Sequence, residues 1–128
     1  MRLKRFSLKI SKKILPFTKT IKVDADKSIS IRSFLIAAIS QNISVSRNIL
    51  ESDDIFSTIN CLKKLGVKIK KLKSKHYLIY GKGLGSLNLK KNAKLNFGNS
   101  GTLARLLIGI LSTTPGITVN ISGDHSLN

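Results

Sequence analysis

Tryptophan is missing from these 128 residues, cysteine occurs once, proline twice, and six acidic residues stand against 23 lysines and arginines. Each shortage excludes something. A lone Cys61 rules out an internal disulfide and suits a reducing compartment. No apolar run approaches the roughly 18 residues that a membrane-spanning helix needs. The basic N-terminus lacks the apolar stretch and small-residue cleavage site of a secretory leader, so a cytoplasmic protein is expected. Only five of the basic residues are arginine, and no aromatic side chains are interleaved among them, which counts against specific nucleic-acid readout. The two histidines, His76 and His125, have no metal-ligand or triad partner at a suitable spacing, and no metal is expected.

What is present is apolar and positive. The net charge is +17, and it is unevenly spread. Residues 1–22 carry eight lysines or arginines and residues 63–94 carry eleven lysines, both without an acid. Such a balance favours anionic partners. Abundant Lys, Ile and Asn with no Trp is also the drift of an AT-rich genome, so much of this charge reads as solvated surface. With 41% apolar residues, a chain of single-domain length can build a core.

Alternation and caps divide the chain. Residues 7–15 and 19–23 are strand-like, with Ile21 and Val23 alternating around Lys22. A helix is predicted from about Lys27 to Ser40, N-capped by Asp26, with Phe34, Leu35, Ala38 and Ile39 on its apolar face and Asn42 beyond its end. Ile43 and Val45 mark a short strand. Ser52, Asp53 and Asp54 open a second helix with a stripe of Ile55, Ile59 and Leu62, closed by Gly66. The two acids read as complements to the helix dipole. Residues 67–80 read as a hairpin, Gly81, Gly83 and Gly85 as turn glycines, and Leu87 and Leu89 as a short strand. Leu95 and Phe97 alternate again, Gly98–Thr102 opens a third helix with Leu103, Leu106, Leu107 and Ile110 on one face, and Ile117, Val119 and Ile121 alternate as a last strand.

The strand–polar start–helix–strand pattern thus recurs after about 72 to 74 residues. The fold class expected is α/β (α+β), built from β-α-β-α-β-β units, one complete at about 21–85 and one cut short at about 86–128. Both helix starts carry groups that suit anions. Lys27 lies at a helix entry, where unpaired N–H groups already favour negative charge, and Ser28 and Arg32 share a face at i and i+4. Gly98 and Gly101 let a ligand approach the backbone, Asn99, Ser100 and Thr102 offer hydrogen bonds, and Arg105 reaches the same end. Were the units to pack side by side, both positive ends would face one pocket and one multiply charged ligand.

Asp-Lys-Ser-Ile-Ser-x-Arg at 26–32, Ser-Asp-Asp at 52–54, Leu-Gly-Val at 65–67, Gly-Asn-Ser-Gly-Thr-x-x-Arg at 98–105 and Gly-Asp-x-Ser-Leu at 123–127 follow one another as in 5-enolpyruvylshikimate-3-phosphate synthase, which this sequence resembles from about residue 17 onward. The resemblance implies an enolpyruvyl transferase fold of two lobes, monomeric and free of metal or organic cofactor. It implies transfer of the carboxyvinyl group of phosphoenolpyruvate to the 5-hydroxyl of shikimate 3-phosphate, a step of the shikimate pathway to chorismate and the aromatic amino acids. By position, Lys27 would be catalytic and touch both substrates. Ser28 and Arg32 would hold shikimate 3-phosphate, Asn99 and Gly101 would line the phosphoenolpyruvate pocket, and Thr102 and Arg105 would support it. The sequence departs from the family at Asp24-Ala25, where Pro-Gly is usual, and at Ile31, where His is common. The resemblance further implies that residues 1–20 belong to the other lobe and residues 21–128 to part of one lobe. The chain then reads as an N-terminal portion that is inactive alone. The competing reading is a small basic nucleic-acid-binding module without membrane association.

Overall fold

Asp26 starts the first helix with chemistry confined to four residues. In the computed structural model, which describes residues 7, 9, 11, 13, 15, 16, 18–89 and 93–127, Asp26 is extended (φ −99°, ψ 137°) and its Oδ1 accepts from Ile29 N at 2.7 Å. Helix α1 (Lys27–Ile39) follows, as its cap predicts. It ends one residue short of the expected Ser40, whose backbone turns extended (φ −73°, ψ 160°) while its N and Oγ both still donate to Ile36 O. Ile31, Phe34, Leu35, Ala37 and Ala38 are buried, so α1 is the central helix of the core.

Strand β1 (Ile43–Ser46) leads through residues 47–52 to α2 (Asp53–Lys64). Gly66 closes α2 with φ +85°; Gly66 N donates to Lys63 O and Val67 N to Leu62 O, which satisfies two terminal carbonyls. Strands β2 (Lys68–Lys73) and β3 (His76–Tyr80) form the predicted hairpin, with a bulge between Lys71 and Lys73. The sheet order is β1-β3-β2, all antiparallel, with Ile43 and Lys68 both opposite Tyr80. Alternation sends Tyr77 and Ile79 inward, and the Tyr77 ring meets Phe34 edge-on at 5.3 Å between centroids. Glu51 ties the hairpin to the start of α2. It pairs with Lys71 Nζ at 2.8 Å, accepts from Tyr77 Oη at 2.7 Å and accepts from Lys75 N at 3.1 Å. Lys71 first, then Tyr77 and the Lys75 amide, hold its carboxyl down at about 2, while burial, aided by Glu51, pushes the Tyr77 phenol up to about 12.

The connector returns to the core through Gly81. A Cβ there would overlap the carbonyl oxygens of Ser40 and Ala37, so only glycine permits this approach. Beyond it come β4 (Lys94–Asn96), α3 (Gly101–Ser112) and β5 (Asn120–Ser122); β4 and β5 pair in parallel with Leu95 opposite Ile121. α1 packs on β1, β3, α2 and α3, while α2 packs on β2 and β4. Cys61 on α2 donates to Asn96 O at 3.2 Å, and burial pushes its thiol up to about 11. The architecture is mixed α/β.

Three expected strands differ. Residues 19–23 have the alternation of a strand but no ladder partner among the described residues, and Ile21 and Val23 are 71% and 68% exposed. Residues 87–89 form no strand: Asn88 N donates to Leu65 O, and Leu87 plugs the core from a loop. The last strand shrinks to Asn120–Ser122, matching the three residues of β4. Of the 7–15 piece, residues 8, 10, 12 and 14 lie outside the described residues, and residues 7, 9, 11, 13 and 15 have no strand assignment.

Candidate functional site

Lys27 is the first residue of α1, and its half-exposed Nζ lies 3.1 Å from Oδ2 of Asp54, whose side chain is nearly buried in the first turn of α2. Two helix starts are thereby fastened together. Ser28 is half-buried beside Lys27, and Arg32, one turn on, is exposed and makes no ion pair with a described residue. Ser30 is spent internally: its Oγ donates to Asp26 O and accepts from Leu50 N. Ile31, where the resembling family commonly has His, is fully buried in the core and faces no site.

The third helix start is a tight turn. Asn96 Oδ1 accepts from Gly98 N at 2.9 Å, and Gly98 has φ +58°, the left-handed region that favours glycine. Its carbonyl accepts from Asp124 N at 2.9 Å, so the 123–127 loop closes over the turn. Within that loop Ser126 donates twice to Asp124 Oδ1, and these bonds hold the Asp124 carboxyl below its ordinary range. Ser100, expected to face a ligand, is fully buried and accepts from Leu103 N at 3.3 Å as the cap of α3. Its hydroxyl closes the helix instead. Asn99 is exposed, Gly101 and Thr102 are half-buried, and Arg105 is exposed without an ion pair to a described residue. The space in front of Gly101 is open, since a Cβ there would meet nothing within 4 Å.

The two starts meet through α2. Lys27 reaches Asp54, and a Cβ on Gly98 would come within 3.1 Å of Ser57 Oγ. Asp54 and Ser57 are i and i+3, neighbours on one face. Lys27 and the Gly98 turn therefore abut the first turns of α2, and α1 packs on α3. Lys27 and the Gly98 turn thus share the N-terminal end of α2, while Ser100 is turned inward as the cap of α3. The partnership of Asp54 with Lys27 escaped the sequence reading, which gave both acids of α2 only a dipole role. The available signal was scarcity: with six acids against 23 cations, a carboxylate in a helix start is committed to someone.

The chemistry at this end suits polar anions: backbone N–H groups at positive helix ends, an ammonium held by one carboxylate, and, one turn away, guanidinium groups without an ion pair to a described residue. Among the described residues no group of three or more His, Cys, Asp or Glu could hold a metal ion, and no helix is long and apolar enough to cross a membrane.

A family profile described as EPSP synthase (3-phosphoshikimate 1-carboxyvinyltransferase) matches residues 11–128. The 3-phosphoshikimate 1-carboxyvinyltransferase of Syntrophomonas wolfei is 38% identical over 120 residues, which are 94% of this chain and 27% of that protein. The enzyme of the same name from Bacillus cytotoxicus is 44% identical over 108 residues, 84% of this chain and 25% of that protein. A solved EPSP synthase from Acinetobacter baumannii superposes with a TM-score of 0.74 at 34% identity, covering 84% of this chain and 24% of that one. This chain thus spans about a quarter of the length of the curated relatives it matches. Sequence along nearly the whole chain and backbone over most of it agree on one ancestry, and the chain belongs to the EPSP synthase (3-phosphoshikimate 1-carboxyvinyltransferase) family.

Proposed function

We propose that this chain contributes one wall of the active site that transfers the carboxyvinyl group of phosphoenolpyruvate to the 5-hydroxyl of shikimate 3-phosphate, releasing phosphate. The observation that supports it is the meeting of the α1 and α3 starts on the first turns of α2. In this reading Lys27 touches both substrates and assists proton transfer. Ser28 and Arg32 hold the 3-phosphate, Asn99 and Gly101 line the phosphoenolpyruvate pocket, and Thr102 and Arg105 support that side. Both substrates are anions, and positioned cations and helix ends are what such ligands need. A proton added to the methylene carbon and a hydroxyl oxygen added to the adjacent carbon give a tetrahedral intermediate; loss of phosphate and of a methyl proton restores the vinyl group.

Residues 21–128 form part of one lobe in this proposal, with a first β-α-β-α-β-β unit at about 21–85 and a second begun at about 86–128. Its support is that α1 and α3 open 74 residues apart, each after an alternating apolar pair. Residues 1–20 belong to the opposite lobe. The working protein is a cytoplasmic monomer without nucleic-acid partners, and this chain by itself binds but does not turn over, because the opposing charges lie on the remaining length of the relatives.

Calorimetric titration of the chain with shikimate 3-phosphate tests this. Binding is expected, with a loss of at least tenfold in Lys27→Ala and in Arg32→Ala, the cost of a charge-assisted contact. Binding indifferent to both substitutions overturns the assignment, as does phosphate release from the two substrates by the chain alone.

A further inference from the structure

A second cationic hollow, of about 360 Å³, lies on the three-stranded sheet and draws on all its strands: Val45 and Arg47 from the β1 end, Leu72 and Lys73 from β2, and His76 from β3. Its floor is aliphatic. Val45 is 48% exposed, and the bulge between Lys71 and Lys73 breaks the alternation of β2 and leaves Leu72 55% exposed. The His76 ring is fixed by Nδ1–H donating to Ser74 O at 2.8 Å and forms one wall.

Its rim is positive and uncompensated. Neither Arg47 nor Lys73 makes an ion pair with a described residue. The acid closest to the hairpin turn, Glu51, is already held by Lys71, Tyr77 and the Lys75 amide. A guanidinium and an ammonium above two exposed aliphatic side chains are chemistry for a negative head on an apolar body. We propose that this hollow binds a small organic anion, a carboxylate or phosphate carried on an apolar ring or branched chain. No residue of the α1 or α3 start lines it, so the proposal stands apart from the function assigned to those starts.

The test is an amide-resolved NMR titration of the full chain at constant ionic strength with benzoate, phenyl phosphate and inorganic phosphate. At least one organic anion is expected to give saturable shifts centred on Val45, Arg47, Leu72, Lys73 and His76; comparing the two tells carboxylate from phosphate preference. Inorganic phosphate is expected to bind about fivefold more weakly, for want of the floor. Arg47→Gln is expected to weaken the organic ligand about fivefold and Lys73→Gln about twofold, the range for solvent-exposed charge contacts, while Lys64→Gln changes nothing. Both altered side chains are exposed, so folding is preserved and is checked by the dispersion of the same spectra. Inorganic phosphate binding as tightly as the organic anions overturns the proposal. So do shifts spread evenly over the lysines, shifts confined to the α1 and α3 starts, or an Arg47→Gln variant that binds normally. Shikimate 3-phosphate, titrated separately and read at Lys27 and Asn99, reports on the other site, so either assignment can fail without the other.

Discussion

Two segments with the same alternation have opposite fates. Leu95 and Phe97, just before α3, are fully buried and 2% exposed, and their strand pairs in parallel with β5. Ile21 and Val23, just before α1, are exposed and have no ladder partner among the described residues. Between Val23–Asp26 and the β1 end lies a cleft of about 610 Å³, whereas Phe97 N donates directly to Ser122 O at 2.9 Å. An apolar–polar alternation specifies which face a strand would bury; a neighbouring edge decides whether the strand exists. The later segment has such an edge in β5 and a seam with α2 through Cys61 and Lys64, whose Nζ donates to Lys94 O at 2.7 Å.

The sharpest way to break this contrast is to truncate both sides. Phe97→Ala is expected to cost about 3–5 kcal/mol, as for a fully buried aromatic, whereas Val23→Ala stays within about 0.5 kcal/mol. Denaturant unfolding measures both, and comparable losses would show that the earlier segment is docked in solution.

A smaller effect separates two glycines of the later segment. Gly98→Ala is expected to cost about 1–3 kcal/mol, from its left-handed backbone and the closeness of Ser57 Oγ. Gly101→Ala, with open space before it and a helical backbone, is expected to be neutral or slightly stabilising. Thermal melts of the two variants should therefore diverge; equal destabilisation would mean that the space before Gly101 is filled. The Gly101 variant also places a methyl group where the proposed phosphoenolpyruvate pocket lies, so a binding loss there is free of a folding cost.

The mildest expectation concerns acid. Glu51 titrates at about 2 in the folded chain against 4.5 ordinarily, so it contributes stability above pH 4.5 that fades as pH falls toward 2. Glu51→Gln should flatten that part of the pH–stability curve and loosen the hairpin side, while amide exchange around β4 and α3 stays as it was. A curve of unchanged slope would show that the hairpin does not depend on this carboxylate.

Legibility in the sequence followed the range of the forces. Helices α1 and α2 and the hairpin were readable because Asp26, Gly66 and the Lys68–Ile69–Lys70 alternation act over a few residues. The caps and turns of both helix starts were readable too, from Asp26 and from Gly98–Gly101. What sequence could not carry was partnership: that Asp54 holds Lys27, that Ser100 turns inward to cap α3, that Leu87 plugs the core from a loop, and that residues 19–23 find no edge among the described residues. Each of these depends on a residue distant in the chain or on which side of a turn faces the core.

The chain's one thiol sits on the seam between α2 and β4, its hydrogen directed at the Asn96 carbonyl. Shut away and reluctant to ionise, it resists alkylating reagents for as long as that seam stays closed. Its rate of modification by iodoacetamide is consequently a stopwatch for the parting of α2 from β4, read at a natural atom without any added probe.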